Sequence, residues 1–252
     1  MGPLQAPAAS PRQTIALSFS LEKQTITLHE PVVVRLRAEN KSGQPVSIDL
    51  GFDRIGNLQF LINLAGEKPV RVVAHLHGGL ARYGIVKIAP GGTYTQNVLL
   101  SALYAFRSEG LYLIRVNFVS RGPTTGVGEV PVCKSKEMRL QILPRNPSQL
   151  KKVCENLVEK IMSRNAESAM ESARALSYVN DLVAVPYLEQ AATSGPFNIV
   201  DRPTAIDGLA RISLTWGKER VFSHLTQKDP QLEREISAHM SVIRTHPDAP
   251  HD

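Results

Sequence analysis

Residues 138–162 read MRLQILPRNPSQLKKVCENLVEKIM, and the hydrophobic rhythm changes in the middle of them. Up to Leu143 the apolar positions keep the every-other-residue beat of a strand with one buried face. Beyond Asn146, Leu150, Val153, Leu157 and Ile161 recur at helical spacing. Cys154, Val158 and Met162 widen that stripe, while Lys151, Glu155, Glu159 and Lys160 lie off it, as on an amphipathic helix against a core. Asn146-Pro147-Ser148 is the start signal between the two rhythms, a polar cap followed by proline in the first turn. The chain is therefore predicted to be all-β before this point and all-α after it.

Upstream, alternation begins with Ile15, Leu17, Phe19 and Leu21. It continues with Val32, Val34, Leu36 and Ala38, whose intervening residues Val33, Arg35, Arg37 and Glu39 face the other way. Asn40-Lys41-Ser42-Gly43 is a turn cluster before Val46, Ile48 and Leu50, so residues 32–50 are predicted to form a hairpin. Further strands are expected at Leu58–Ile62, Ile85–Ile88, Thr93–Leu100, Leu111–Phe118, Glu129–Val132 and Met138–Leu143. The Ala89-Pro90-Gly91-Gly92 turn, an alternating strand, a short aromatic crossover and then Gly110-Leu111-Tyr112 resemble the late strands of immunoglobulin-like sandwiches. That resemblance implies a tyrosine corner at Tyr112, its hydroxyl bonded to nearby backbone. It also implies no intersheet disulfide, because Ile114 stands where antibody-type domains carry their second cysteine. The pattern is similar as well to small bacterial secreted sandwiches, protease-inhibitor-like ones included.

Downstream, Ala166, Ala169, Met170, Ala173 and Leu176 make a second helical stripe, and Asn180-Asp181 breaks and recaps it. Val183–Ala192 is a third helix, Ile206–Ile212 marks a fourth, Val221–Leu225 a fifth, and Asp229-Pro230 opens the last. Ala173–Val179 and Ile206–Ile212 look like copies, each followed by a polar turn and another helix. With Asn180–Leu188 as the clearest stretch, this resembles HEAT repeats over about a third of the chain. The second copy departs from the pattern through a longer turn that carries Trp216. The resemblance implies a stack that binds proteins through an extended face. The expected organisation is multidomain: a flexible leader over 1–13, an all-β immunoglobulin-like sandwich over 14–144, all-α HEAT-like helical hairpins over 145–246, and a tail over 247–252.

Composition is that of an ordinary globular chain, with 42% hydrophobic and 21% charged residues and no apolar run long enough for a membrane helix. The net charge of +6 is divided unevenly, +8 over residues 1–146 (17 Lys+Arg, 9 Asp+Glu) and −2 over 147–252 (12 and 14). A basic β half leaves room for an anionic partner, or serves solubility. The leader has neither the basic nor the apolar region of a secretory signal. Taken literally it places the chain in the cytoplasm. As the start of a mature protein whose signal was removed, it implies the periplasm or secretion. Cys133 and Cys154 either bridge the junction or are two separate buried thiols.

Chemical motifs are few. His75-Leu76-His77 sets two imidazoles on one face of a strand, short of the three or four ligands a metal site needs. His246, Asp248, His251 and Asp252 crowd the tail. The glycine-rich stretches 78–84 and 121–128 lack a phosphate-binding Gly-Lys-Ser/Thr and read as loops. No nucleophile elbow, His-Glu-x-x-His or paired Cys-x-x-Cys occurs. Arg35, Arg37 and Arg115 point outward and would form one basic strip if their strands are neighbours. Exposed aromatics to stack bases are scarce, which argues against nucleic acid. The expectation is a non-catalytic protein-binding or scaffolding module that needs no cofactor or metal. The alternatives are a sandwich that binds an anionic polymer or carbohydrate with the helices as spacer, and an enzyme-regulating, protease-inhibitor-like subunit.

Overall fold

The computed structural model describes residues 15–51, 54–73, 84–119, 136–163, 165–194, 198–227 and 229–245. Ten strands precede six helices among them. The strands are β1 (Ile15–Leu21), β2 (Thr25–Thr27), β3 (Val33–Asn40), β4 (Val46–Asp49) and β5 (Leu58–Leu64), then β6 (Val70–Val73), β7 (Ile85–Ile88), β8 (Thr93–Leu99), β9 (Gly110–Phe118) and β10 (Met138–Leu143). They form a three-stranded sheet β1-β3-β8, a five-stranded sheet β2-β10-β9-β5-β6 and a β4-β7 pair. All pairings are antiparallel except β2 with β10.

The period-2 pattern does the work expected of it. Val34, Leu36 and Ala38 of β3 are fully buried, and so are Ile114 and Val116 of β9 and Phe60 and Ile62 of β5. These inner faces meet in one core, so the β region is a sandwich-like pair of sheets. Tyr112 is 2% exposed, and its hydroxyl donates to the Ser108 carbonyl at 3.1 Å, the bond expected of it. Tyr112→Phe is expected to lower stability by about 1 kcal/mol in chemical denaturation, the worth of one such bond.

The hairpin expected over residues 32–50 does not form. β3 already has β1 on one side and β8 on the other, and β4 pairs with β7 instead. Asn40 supplies the reason. It is wholly buried, and its amide nitrogen donates to the carbonyls of Gln44, Ile88 and Ala89 while its oxygen accepts from Ser42. The turn is thereby tied to the β7–β8 connection, and the chain leaves β3 rather than folding back on it. The expected strand at 129–132 lies outside the described residues, as do the leader and the tail from 246 on.

The helices are α1 (Pro147–Ile161), α2 (Ala166–Leu176), α3 (Val185–Ser194), α4 (Asn198–Trp216), α5 (Lys218–His224) and α6 (Pro230–Thr245). Asn146 caps α1, its side chain accepting from the Gln149 N–H at 3.1 Å, and Asn165 caps α2 in the same way. All six share a second core, separate from that of the strands. The main pairings are α1 with α2, α3 with α4 and α4 with α6. The two sequence copies had instead suggested α2 with α3 and α4 with α5. The difference arises from α4, which is 19 residues long and buries Ala205, Ile206, Leu209, Ala210 and Ile212. A helix apolar over so wide an arc is surrounded rather than stacked at one face.

Candidate functional site: an interdomain cleft and its seam

Two structural features join the halves. The first is a seam at the linker. Thr27 donates its hydroxyl to the Pro144 carbonyl, and the next residue, Arg145, clamps Asp181 with two guanidinium hydrogen bonds. The Asp181 side chain is fully buried, and it also caps the short 3₁₀ turn Leu182–Ala184 by accepting from the Val183 N–H at 3.0 Å. The Arg145 guanidinium lies over Trp216, 5.7 Å from the ring centre, and His29 meets the same ring edge-on at 6.2 Å. Trp216 Nε1 donates to the Asn180 carbonyl, so the end of α4 is tied to the same turn. Burial alone would raise the Asp181 carboxyl. The hydrogen bonds from Arg145 and Val183, with the charges of Arg145 and His29, overcome it and hold the group below its ordinary value. Burial lowers the His29 imidazole, with Arg145 adding to the effect and Asp181 opposing it.

The second feature is a cleft of about 720 Å3 between the β half and α1–α2. One wall is the whole run Tyr94–Leu99 of β8. The opposite wall is one face of α1, including Lys152, Val153, Asn156 and Lys160, with the α2 residues that continue it. The size suits a ligand or a peptide segment. Asn97 of β8 reaches across to Glu171 of α2 at 3.1 Å, and Arg35 donates weakly to the same Asn97 at 3.5 Å.

The three arginines singled out by sequence are divided. Arg35 and Arg37 are exposed on the outer face of the three-stranded sheet, and Arg35 lines the cleft. Arg115 is exposed on the five-stranded sheet, with the core between it and the other two. The single strip required β3 and β9 to be neighbours, and they belong to different sheets, so the strip does not form. Arg37 is occupied with Glu39 at 3.8 Å. Lys152, Lys160 and Arg174 are exposed and line the cleft beside Arg35, a grouping that α1 and α2 create and strand alternation could not reveal.

Other candidates have structural roles or fall elsewhere. Cys154 carries a free, fully buried thiol, pushed up to about 12 by burial with help from Asp181 and Glu155, which suits packing rather than nucleophilic attack. Cys133, His75, His77, and residues 78–83 and 121–128 of the glycine-rich loops lie outside the described residues. Buried Glu189 accepts from Thr226 and Gln227 and holds the α5–α6 loop onto α3. Among the described residues no group of three or more His, Cys, Asp or Glu converges as a metal site, and no helix is long and apolar enough to cross a membrane.

The chain matches no family model and no curated protein. Among solved structures it is similar to a CARDB domain from Pyrococcus furiosus in complex with di-metal ions, at 9% identity and a TM-score of 0.29 over 54% of this chain and 95% of that one. It is also similar to a β-glucosidase from Erythrobacter marinus (11% identity, TM-score 0.31, 51% of this chain and 15% of that one). A β-glucosidase from Listeria innocua matches at 14% identity and a TM-score of 0.30, over 52% and 16% of the two chains. The matches thus span only a small part of the β-glucosidases. At these TM-scores none bears on the chemistry of the cleft.

Proposed function

We propose that the chain is a non-catalytic protein-binding module, an immunoglobulin-like sandwich joined to HEAT-like hairpins, which docks its partner in the cleft between β8 and α1–α2. The sheet orders support the sandwich reading. β1-β3-β8 corresponds to strands A, B and E of that fold, and β10-β9-β5 to G, F and C, with Tyr112 at the corner position near the start of F. The contacts of α1 with α2 and of α3 with α4 support helical hairpins, offset by one helix from the pairs that the sequence copies suggest and gathered around α4.

The observation that carries the binding reading is what lines the cleft. It follows an uncovered strand edge and an amphipathic helix face. The lining sets Lys23, Arg35, Arg54, Lys152, Lys160 and Arg174 against Glu22, Glu167 and Glu171, and this positive excess favours a second reading, an anionic polymer or carbohydrate in the same place.

Photo-crosslinking with full-length protein separates these. A crosslinker at Asn156 in the cleft is expected to trap a polypeptide from extracts, and one at Gln59 on the far sheet to trap none. Equal capture at both positions, or retention on heparin lost with Lys152→Glu and Lys160→Glu but no protein captured, would remove the protein-binding reading.

A further inference from the structure

We propose that β8 accepts an extended, acidic peptide segment as an additional strand, seated between β8 and the α1–α2 face. This rests on the protein-binding reading above and gives it a recognition mode. β8 is the last strand of its sheet, and among the described residues nothing pairs with its outer side.

The hydrogen-bond register identifies which backbone groups are free. Leu100 N–H donates to the Val32 carbonyl and Asn40 N–H to the Gly92 carbonyl, and both contacts join residues directly opposite in the β3–β8 register. Hydrogen-bonded pairs alternate along an antiparallel ladder, so Tyr94, Gln96 and Val98 bond to β3. Thr93, Thr95, Asn97 and Leu99 then turn their N–H and C=O groups to the outer side, where the last three line the cleft. β3 obeys the same rule on its other side, where Glu22 N–H donates to the Val33 carbonyl, so its odd residues serve β1 and its even residues β8.

Edge strands are ordinarily protected by lysine, proline, a bulge or a covering element. The β8 sequence TYTQNVL contains no charge and no proline, and its seven residues pair with β3 without a bulge. The helices stand over this edge but leave the 720 Å3 cleft open between.

The lining selects the occupant. On the core side the cleft is lined by half-buried Leu99 and Leu103 above the nearly buried Ile26, Ile55, Val98 and Leu140. On the helix side are Lys152, Lys160 and Arg174 together with Glu167 and Glu171, and on the sheet side are Arg35 and Glu22, so positive charge prevails, and Lys152, Lys160, Arg174 and Arg35 have no carboxylate within ion-pair distance among the described residues. A strand with apolar residues on one face and carboxylates on the other matches both walls, because strand side chains alternate. Strand addition takes affinity from main-chain bonds and specificity from alternate side chains. A second copy of this chain fits less well, because its sheet would have to enter a space bounded by α1 and α2.

The test uses the full chain and a fluorescent, capped seven-residue peptide of alternating valine and glutamate, followed by anisotropy. Saturable binding is expected, weakening with salt and at least 10-fold tighter than for the valine–lysine counterpart. N-methylation of the peptide on alternate residues is expected to abolish binding in one register and spare it in the other. Thr95→Pro removes an outward donor while leaving the β3 ladder intact, as edge positions allow. It is expected to weaken binding at least 10-fold with unchanged circular dichroism and Tm. Binding unaffected by either N-methylated register or by Thr95→Pro would overturn strand addition, even if the Asn156 crosslinker still captured a partner. No binding of the peptide alongside such capture would overturn it as well. Dimers that dissociate with Thr95→Pro would assign the edge to a second copy and overturn the peptide. Equal binding of the lysine peptide would overturn the acidic preference.

Discussion

Arg145→Ala is expected to destabilise the protein by about 3 kcal/mol, because it strands a carboxylate that the fold has already buried. Asp181 has no exposed side-chain surface, whereas Arg145 is 38% exposed at the rim of the seam. Removing the arginine therefore leaves a buried charge with one remaining backbone donor, Val183. Asp181→Ala leaves a half-exposed guanidinium that water can serve, so its cost is expected to be smaller, about 1–2 kcal/mol, mostly from the lost cap. The double variant is expected to be less unstable than the sum of the two, the signature of a shared interaction. Equal, additive single effects in denaturant titration would contradict this reading. The seam should also titrate. His29 and Asp181 both have folded values below their ordinary ones. Their contributions are therefore complete above the unfolded values and are lost as pH falls through the folded ones. For His29 the loss begins below about pH 6.5, and for Asp181 below about pH 4. The Tm is expected to fall from pH 7 to pH 5 in the native protein and to fall less in His29→Gln. An equal fall in both would place the acid sensitivity elsewhere.

Local rhythm carried most of the secondary structure, and pairing carried what was missed. β3, β5 and β9 were legible because each buries alternate residues on one face, and β1 because half-buried Leu17, Phe19 and Leu21 follow buried Ile15 at the same spacing. β2 has only three residues, and β6 is an exposed edge with no alternation to read. The hairpin over 32–50 failed because a turn signal does not say which strands already have two partners. The same limit hid the candidate site. Arg35 could be assigned an outward face from spacing, but that β8 is an edge, and that α1 stands across from it, are long-range facts. The seam left one trace in the sequence. Trp216 interrupts the second repeat-like copy, and the structure uses it to tie α4 to Arg145, His29 and Asn180. Asp181 was readable as a cap, but not as the anchor of a residue 36 positions away.

Gly208→Val is expected to cost more than 3 kcal/mol, since α4 approaches its neighbours there more closely than a side chain permits. A Cβ at Gly208 would lie 2.8 Å from the Ser177 Cα and 2.9 Å from a Leu188 methyl. The methyl can rotate away, but the Ser177 backbone follows α2 directly and moves only with it. Alanine gains up to about 1 kcal/mol of helix propensity over glycine, and the forced separation outweighs it. Gly208→Ala is therefore expected to lose about 1 kcal/mol net. Valine adds two methyl groups and a stiff χ1 to the same collision, in the range of severe overpacking. Because α4 contacts α2, α3, α5 and α6, the damage should spread through the helical core. Trp216, the chain's one tryptophan, sits at the end of this helix and reports it. Gly208→Val should red-shift its fluorescence and reduce helical dichroism together. Arg145→Ala should perturb the fluorescence while leaving the helical signal intact at low temperature. A neutral or stabilising Gly208→Ala would mean that α4 does not make this approach, and the packing inferred around it would have to be withdrawn.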